Sequence, residues 1–176
     1  MSPLMGAAEA LEHLAPAPSL VVLMCGLAGS GKTTFSRQLE AKGFVRLSID
    51  EIVWDMAGRF GVDFDAADYP RHLEAARGVM RRRLIEAMRA GTPIVVDSAF
   101  WNRAARDEYK ALIEEHDREW RLIYLKAAAD LLHSRLRERA ARFDANAQFE
   151  VTPAMLEVFL ASFEAPQGEG EIVVRA

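Results

Sequence analysis

The sequence predicts an α/β protein in which a parallel β-sheet is covered by helices on both faces. Short apolar runs alternate with helical patterns along the chain, and this order is typical of repeated strand–helix–strand units. The run Pro-Ile-Val-Val at 93–96 contains no polar residue, as expected for a strand that is buried on both faces. The length of 176 residues allows one domain with a substantial core.

Each element is predicted from a local pattern. Apolar runs predict strands at 20–25, 44–49, 93–96, 120–125 and 171–175. Periodic apolar residues predict helices at 71–89, 102–116 and 128–141. A further helix is expected to begin at Thr152-Pro153, because a capping residue followed by proline is favoured in the first turn. Ligands bind outside the carboxyl ends of the strands in such sheets, so these ends indicate where a site should lie.

The two ends of the predicted domain differ in character. Residues 1–18 are expected to form an appendage with a short helix from about Met5 to Leu14, and the domain spans 19–176 with a lid at about 140–152. The first residues lack the basic region of a signal peptide. No stretch reaches the ~18 apolar residues of a membrane span, so we expect a cytoplasmic protein without a membrane partner.

The composition excludes several kinds of site. The net charge of −4 gives no chain-wide reason to expect a nucleic-acid partner, although a local basic groove would be compatible with one. Cys25 is the one cysteine, which excludes an internal disulfide and a multi-cysteine metal site. Its place at the end of an apolar strand favours a buried thiol that packs like a small hydrophobic residue. The four histidines show no metal-ligand spacing.

A glycine-rich segment between a predicted strand and a predicted helix carries the most specific signal. Residues 26–34, the phosphate loop, match the pattern G-x-x-x-x-G-K-[ST] at every fixed position. Glycines let successive backbone N–H groups point at phosphate oxygens, and the following helix adds its positive dipole end. A glycine-rich turn that binds nothing would not need three glycines followed by Lys-Thr. The predicted nucleotide-binding residues are Gly26, Leu27, Ala28, Gly29, Ser30, Gly31, Lys32, Thr33 and Thr34.

The phosphate loop and two acidic residues together predict an ATP site with magnesium. Lys32 is expected to neutralise the β- and γ-phosphates, and the Thr33 hydroxyl to hold Mg²⁺. Asp50 and Asp97 each follow an apolar strand. Asp97 fits the magnesium role best because its strand is the more uniformly apolar, and Asp50 is then a candidate base for an acceptor hydroxyl. Each aspartate could instead cap a helix, since Asp is favoured at that position.

Arginines on the 128–141 helix are candidates for stabilising a transferring phosphoryl group. Arg135, Arg139 and Arg142 share one helical face and lead into the predicted lid. The alternative is a solvated face, in which Glu138 pairs with Arg135 and Arg142. Residues 81–83, Arg-Arg-Arg, are expected on the outer surface of their helix, and contact with the substrate is the alternative.

Five aromatic residues lie around the loops after the second and third predicted strands. Most are expected in the core, with one or two lining an acceptor pocket. They are Trp54, Phe60, Phe64, Tyr69 and Trp101.

With these motifs the chain resembles the small P-loop kinases of the zeta-toxin, chloramphenicol phosphotransferase and polynucleotide-kinase group, and most of all their predicted-kinase branch with an AAA-type ATP-binding domain. The resemblance covers about residues 20–176 and rests on "GLAGSGKTT"; "LSIDEI", "VVDSAFWNRAARDEYKAL" and "FLASFEAP" agree more loosely. It implies a P-loop NTPase three-layer sandwich whose five-stranded sheet has the order 2-3-1-4-5. It also implies Asp50 as the base and arginines within 135–142 as lid residues.

The sequence therefore predicts an ATP- and Mg²⁺-dependent kinase that phosphorylates a hydroxyl of a small molecule, such as an antibiotic, nucleoside or sugar-like compound. One alternative is a 5′-hydroxyl polynucleotide kinase, which would need a basic groove with stacking aromatics. Another is an ATP-binding switch or slow ATPase that controls a partner protein. No motif identifies the acceptor.

Overall fold

A parallel sheet with helices on both faces organises the computed structural model, which describes residues 4–139, 144–145 and 151–176. Within these residues the strands are β1 (Leu4–Gly6), β2 (Leu20–Cys25), β3 (Val45–Ser48), β4 (Ile94–Asp97), β5 (Glu119–Lys126) and β6 (Glu171–Arg175). The helices are α1 (Ala7–Glu12), α2 (Lys32–Ala41), α3 (Ile49–Ala57), α4 (Tyr69–Arg89), α5 (Arg103–Glu114), α6 (Ala129–Arg139) and α7 (Pro153–Ser162), and a 3₁₀ turn spans Ala66–Asp68.

The order of strands across the sheet is β1-β6-β5-β2-β4-β3, and every described pair is parallel. The prediction of five strands is wrong, because the described part of the chain forms six and the order of the whole sheet is not 2-3-1-4-5. Among themselves, the five predicted strands lie in the order β3-β4-β2-β5-β6, which is the relative order that the resemblance implies. The additional strand, β1, pairs with β6 at the sheet edge, where Leu4 lies opposite Val173. β4, which ends in Asp97, lies directly beside β2, which leads into the phosphate loop.

The N-terminal segment contributes to the domain as well as preceding it. β1 extends the sheet, and α1, which begins at Ala7, returns across one face. Ala10 and Leu14 are buried in the same core cluster as Phe35 and Leu39 of α2. Residues 4–14 of the expected appendage therefore supply an edge strand and part of the core.

The central strand β2 is buried along its whole length, as its unbroken apolar sequence predicts. Alternate residues face opposite sides of the sheet, because the side-chain period of a strand is two. Val21, Leu23 and Cys25 pack in one core cluster with residues of α3, α4 and α5. Leu20, Val22 and Met24 pack in the other, with residues of α1 and α2. The result is a three-layer α/β/α arrangement.

A third cluster fixes α6 and α7 against the phosphate loop. Leu27 of the loop packs with Leu132 and Leu136 of α6 and with Leu156 of α7. Thr152 caps α7 by accepting a hydrogen bond from the Met155 N–H (3.3 Å), as the Thr-Pro signal predicts. Most of the predicted lid at about 140–152 lies outside the described residues, as does the end of the helix predicted to 141.

The end of β3 differs from the prediction, and α3 was not predicted; both matter for the site. β3 ends at Ser48 and α3 begins at Ile49, because the Ser48 hydroxyl caps the helix by accepting from the Glu51 N–H (3.4 Å). Asp50 therefore lies in the first turn of α3. Across the described ranges, no helix combines the length and apolarity needed to cross a membrane.

Candidate active site

A cleft of about 1430 Å³ opens where β2, β3 and β4 end. The phosphate loop follows β2, Asp50 follows β3, and the segment 97–102 begins at the end of β4; all of them line the cleft. α4 and α6 supply further walls. This is the edge at which an open parallel sheet binds its ligands, so the structure has a cleft where the sequence predicts a site.

The backbone of the phosphate loop is shaped in a way that requires glycine. Gly26 has φ +145°, and a Cβ built there would lie 2.7 Å from Ser30 Oγ and 2.8 Å from the Leu125 carbonyl oxygen. Gly31, the residue before α2, has φ +97°. Within the described residues, no side chain caps the N-terminus of α2. The first backbone N–H groups of this helix therefore lack a side-chain acceptor, as an anion-binding helix end requires.

Lys32 is held in place by backbone carbonyl groups of the phosphate loop. The Lys32 ammonium donates to the carbonyl oxygens of Gly26 (2.8 Å) and Leu27 (2.9 Å). Burial lowers the pKa of Lys32, and the negative charges of Asp97 and Asp50 oppose this shift. An anion entering the loop would therefore meet the Lys32 amino group already in position.

Asp97 is fixed by an arginine that the sequence analysis missed. Arg46 of β3 donates to Asp97 Oδ2 through Nη2 (2.7 Å) and Nε (3.1 Å), and its Nη1 contacts Glu51 (2.7 Å). The Ser36 hydroxyl of α2 donates to the same oxygen (2.9 Å). A signal existed in the sequence, because an arginine inside an otherwise apolar strand needs a buried partner. Arg46 is 3 % exposed and Asp97 is 5 % exposed.

These residues fit a magnesium ion that arrives with a nucleotide. Thr33 and Asp97 both line the cleft, and the Ser36 hydroxyl lies within hydrogen-bond distance of the Thr33 carbonyl (3.1 Å) and of Asp97 (2.9 Å). The described hydrogen bonds to the Asp97 carboxylate all end on Oδ2 and none on Oδ1. No group of three or more His, Cys, Asp or Glu side chains that could hold a metal occurs in the part of the chain that the structure describes. Mg²⁺ usually takes one or two protein ligands, with water and phosphate oxygens completing its shell.

Asp50 lies in the cleft as a partly buried carboxyl group beside several charges. Burial raises its pKa, the charge of Asp97 raises it further, and Lys32, Arg139 and Arg46 oppose the shift. Neither Asp50 nor Asp97 is the N-terminal capping residue of a helix. Ser48 caps α3, and Asn102 caps α5 by accepting from the Ala105 N–H (2.9 Å).

The structure brings two of the three predicted arginines to the phosphate loop. Arg135 donates through Nη1 to the carbonyl oxygens of Gly29 (3.3 Å) and Ser30 (3.4 Å), and Arg139 lines the cleft. Arg142 lies outside the described residues. Glu138, the partner expected for a solvated face, accepts a hydrogen bond from Ser134 (3.5 Å), and no ion pair joins it to Arg135 in the described structure.

One face of α4 also reaches the cleft, and Arg77 on this face was not among the predicted site residues. Arg77 and Arg81 line it, whereas Arg82 and Arg83 are exposed outside it, so only part of the triple-arginine run lies where it was expected. Arg77 recurs at helical spacing with Leu73, a residue packed against the core. A charged residue in an apolar stripe was the signal that could have identified this face.

Four of the five predicted aromatic residues lie in two groups. Phe60, Phe64 and Tyr69 pack together, with ring centroids 5.7–6.5 Å apart, beside the start of α4. Trp101 packs elsewhere, edge-to-face against Phe159 (5.2 Å) and Phe163 of the α7 region. Tyr69 and Trp101 line the cleft.

A buried ion pair supports the segment that follows Asp97. Arg106 of α5 is 1 % exposed and makes a bidentate contact with Glu169 at 2.6 and 2.7 Å. Its Nη1 also donates to the carbonyl oxygens of Phe100 (3.0 Å) and Glu164 (2.8 Å). The cation therefore ties the cleft wall at 98–102 to the segment before β6.

Cys25 has the inert environment expected of it. It is fully buried at the end of β2, and burial raises the pKa of its thiol to about 11. The thiol is therefore uncharged near neutral pH and unsuited to nucleophilic chemistry.

A family model described as an AAA domain matches residues 21–166 of this chain. The chain is also similar to a UPF0200 protein of Pyrobaculum aerophilum, with 31% identity over 124 residues, which are 70% of this chain and 68% of that protein. Among solved structures, it is similar to a protein from Chloroflexus aurantiacus J-10-fl (TM-score 0.69, 22% identity, covering 92% of this chain and 89% of that one). A gluconokinase from Sinorhizobium meliloti 1021 has a similar fold (TM-score 0.60, 18% identity, covering 90% of this chain and 83% of that one). This chain therefore belongs to the AAA-domain family and has the fold of a P-loop, kinase-like nucleotide-binding domain.

Proposed function

We propose that this protein is a cytoplasmic ATP- and Mg²⁺-dependent kinase that transfers the γ-phosphoryl group of ATP to a hydroxyl of a small molecule. The observation that carries the proposal is the position of Asp50. A carboxyl group with a raised pKa lies in the same cleft as Lys32 and the phosphate loop. A site that only held a nucleotide would have no need of a base there.

The roles of the residues follow from the chemistry of phosphoryl transfer. The loop N–H groups and Lys32 bind and orient the phosphates, while Arg135 supports the loop backbone. Thr33 and Asp97 would hold magnesium, which would neutralise charge on the phosphates when bound. Arg139 supplies positive charge beside the reacting atoms, where it stabilises the transition state more than the ground state.

Asp50 accepts the proton of the acceptor hydroxyl. A raised pKa makes its carboxylate a stronger base, and the positive charges of Lys32 and Arg139 oppose the rise. General-base assistance of this kind is typically worth about 10²–10⁴-fold in rate.

Two other functions use the same fold. A 5′-hydroxyl polynucleotide kinase would lose activity steeply with salt, because it neutralises backbone phosphates. A nucleotide switch would bind ATP and phosphorylate no acceptor. The narrower placement in the zeta-toxin, chloramphenicol phosphotransferase and polynucleotide-kinase group stays a prediction.

The proposal is tested by an ATP-consumption screen of the purified protein against antibiotics, nucleosides, sugars, nucleotide sugars and 5′-hydroxyl oligonucleotides. Asp50→Asn should bind Mg-ATP like the wild type but lose at least about a hundredfold in phosphorylation of the acceptor that is found. The matched control is Asp55→Asn, because Asp55 is exposed on the same helix and does not line the cleft. Tight ATP binding without turnover of any acceptor would replace the kinase with the switch.

A further inference from the structure

The cleft face of α4 carries a pattern that phosphoryl transfer from ATP does not explain. Glu74, Arg77, Gly78 and Arg81 line the cleft at positions i, i+3, i+4 and i+7, so they share one helical face. The neighbouring face is buried through Ala76, Met80, Leu84 and Met88. The core therefore fixes the rotation of α4 and presents both guanidinium groups to the cleft.

Both guanidinium groups have donors to offer a ligand. Arg77 makes its described hydrogen bond through Nη1 to Glu74 (3.3 Å), and Arg81 makes its own through Nη1 to Glu108 of α5 (3.2 Å). A guanidinium has five N–H donors, so in each case a bidentate edge is left for an anion. Each arginine side chain is also less exposed than its glutamate, at 61% against 76% and 45% against 64%. Exposed ion pairs of this kind are weak, so an entering anion can displace the glutamates.

The two arginines line the same cleft as the proposed base. Asp50, Tyr69 and Arg77 all line the cleft, and the charges of Asp50 and Arg77 act in opposite directions on the pKa of Tyr69, which burial raises to about 12. Tyr109 also lines the cleft; burial raises the pKa of its hydroxyl, and the charges of Arg81 and Arg77 lower it. The base, the two tyrosines and the two guanidinium groups therefore belong to one cleft.

We propose that the acceptor is a small hydroxyl compound bearing an anionic group, either a carboxylate or a phosphate monoester, and that Arg77 and Arg81 bind this group while Asp50 receives the hydroxyl. The inference rests on the proposed kinase function. The phosphate loop and Lys32 would bind the phosphates of ATP, so Arg77 and Arg81 are available to bind the second substrate. Tyr69 and Tyr109 would flank its apolar or ring portion.

The test compares acceptors that differ in charge. Phosphorylation is measured with glycerate against glycerol, gluconate against sorbitol, and ribose 5-phosphate against ribose, with a 5′-hydroxyl oligonucleotide as a further arm. We expect turnover of a charged compound, and the carboxylate and phosphate pairs show which anion is preferred. Hydrogen bonds to a charged group are worth about 1.5–3 kcal/mol, so Arg77→Gln and Arg81→Gln should each raise the KM of that acceptor about 10- to 150-fold. The KM of ATP and the Tm should stay near wild type.

Arg82→Gln and Arg83→Gln are the matched controls, because these exposed arginines on the same helix do not line the cleft. Preference for the neutral member of each pair, or equal effects of all four substitutions, would overturn this inference and leave the kinase function standing. Turnover of the oligonucleotide alone would replace the small acceptor with nucleic acid. Failure of every acceptor, neutral ones included, would overturn the kinase function and this inference together.

Discussion

Gly26→Ala tests whether the phosphate loop has the close packing that the structure gives it. The added methyl group would meet Ser30 Oγ at 2.7 Å and the Leu125 carbonyl oxygen at 2.8 Å. The hydroxyl can rotate away, but the carbonyl belongs to the β5 backbone and cannot move without disturbing the sheet. The loop must therefore shift, and the N–H groups that would cradle phosphates shift with it.

The expected cost can be separated into two parts by a control. Gly43→Ala also places alanine at a positive φ, +103°, but a Cβ there has no heavy atom within 4 Å. Left-handed backbone costs an alanine about 1–2 kcal/mol, which applies to both variants. Overpacking adds about 1–3 kcal/mol at Gly26 alone. We therefore expect Gly26→Ala to lose about 2–5 kcal/mol of unfolding free energy and Gly43→Ala about 1–2 kcal/mol.

Thermal unfolding and Mg-ATP titration measure the two consequences. For a domain of this size, about 1 kcal/mol shifts the Tm by about 2–4 °C, so Gly26→Ala should melt about 2–12 °C below Gly43→Ala. Gly43→Ala should bind Mg-ATP like the wild type, whereas Gly26→Ala should bind it much more weakly. Equal melting temperatures and equal nucleotide affinities in the two variants would refute the described packing of the loop.

Three further predictions concern charged groups. Because burial raises the pKa of Asp50, kcat/KM should rise with pH through a pKa above 3.8. For the same reason, Asp50→Asn should unfold at a higher temperature than the wild type at neutral pH. The stability contributed by Asp50 is complete below pH 3.8 and is lost as the pH rises through its folded-state pKa, so the gain should vanish in acid, as thermal melts across pH would show. Arg139→Ala should lower kcat far more than it weakens Mg-ATP binding, while Arg137→Ala, outside the cleft, should change neither; equal small effects would support a solvated face. Arg106→Met should lower the free energy of unfolding, measured with denaturant, by about 3–5 kcal/mol, because it leaves the Glu169 carboxylate without this partner. The double variant with Glu169→Gln should recover part of that loss, whereas additive losses would show that the two residues are not coupled.

The parts of the fold that could be predicted are those set by local patterns. An unbroken apolar run such as Leu20–Cys25 is compatible with a strand covered on both faces. The alternation of such runs with helical patterns along the chain indicates a parallel sheet. The phosphate loop was predictable because its glycines, lysine and threonine each have a separate physical role. β1 was not, because a three-residue edge strand is defined by its pairing with β6 rather than by its own sequence.

The parts of the site that were missed depend on contacts between distant segments. Arg46 reaches Asp97 only because β3 pairs with β4 in a register that places Ser48 opposite Asp97. The position of Arg77 and Arg81 depends on the rotation of α4, which its buried face decides. In both cases the sequence contained a charged residue within an apolar pattern, but not the identity of its partner.

The most direct measurement is transfer of labelled phosphoryl group from [γ-³²P]ATP to an acceptor hydroxyl by the wild type and by Lys32→Ala. Lys126→Ala, an exposed lysine that does not line the cleft, serves as the control. We expect a labelled phosphate ester with the wild type and the control and none with Lys32→Ala. The Tm without nucleotide should stay near wild type, because loss of a buried charge offsets loss of two hydrogen bonds to loop carbonyls. Retained transfer by Lys32→Ala, with its fold intact, would contradict the assignment of this cleft as the phosphoryl-transfer site.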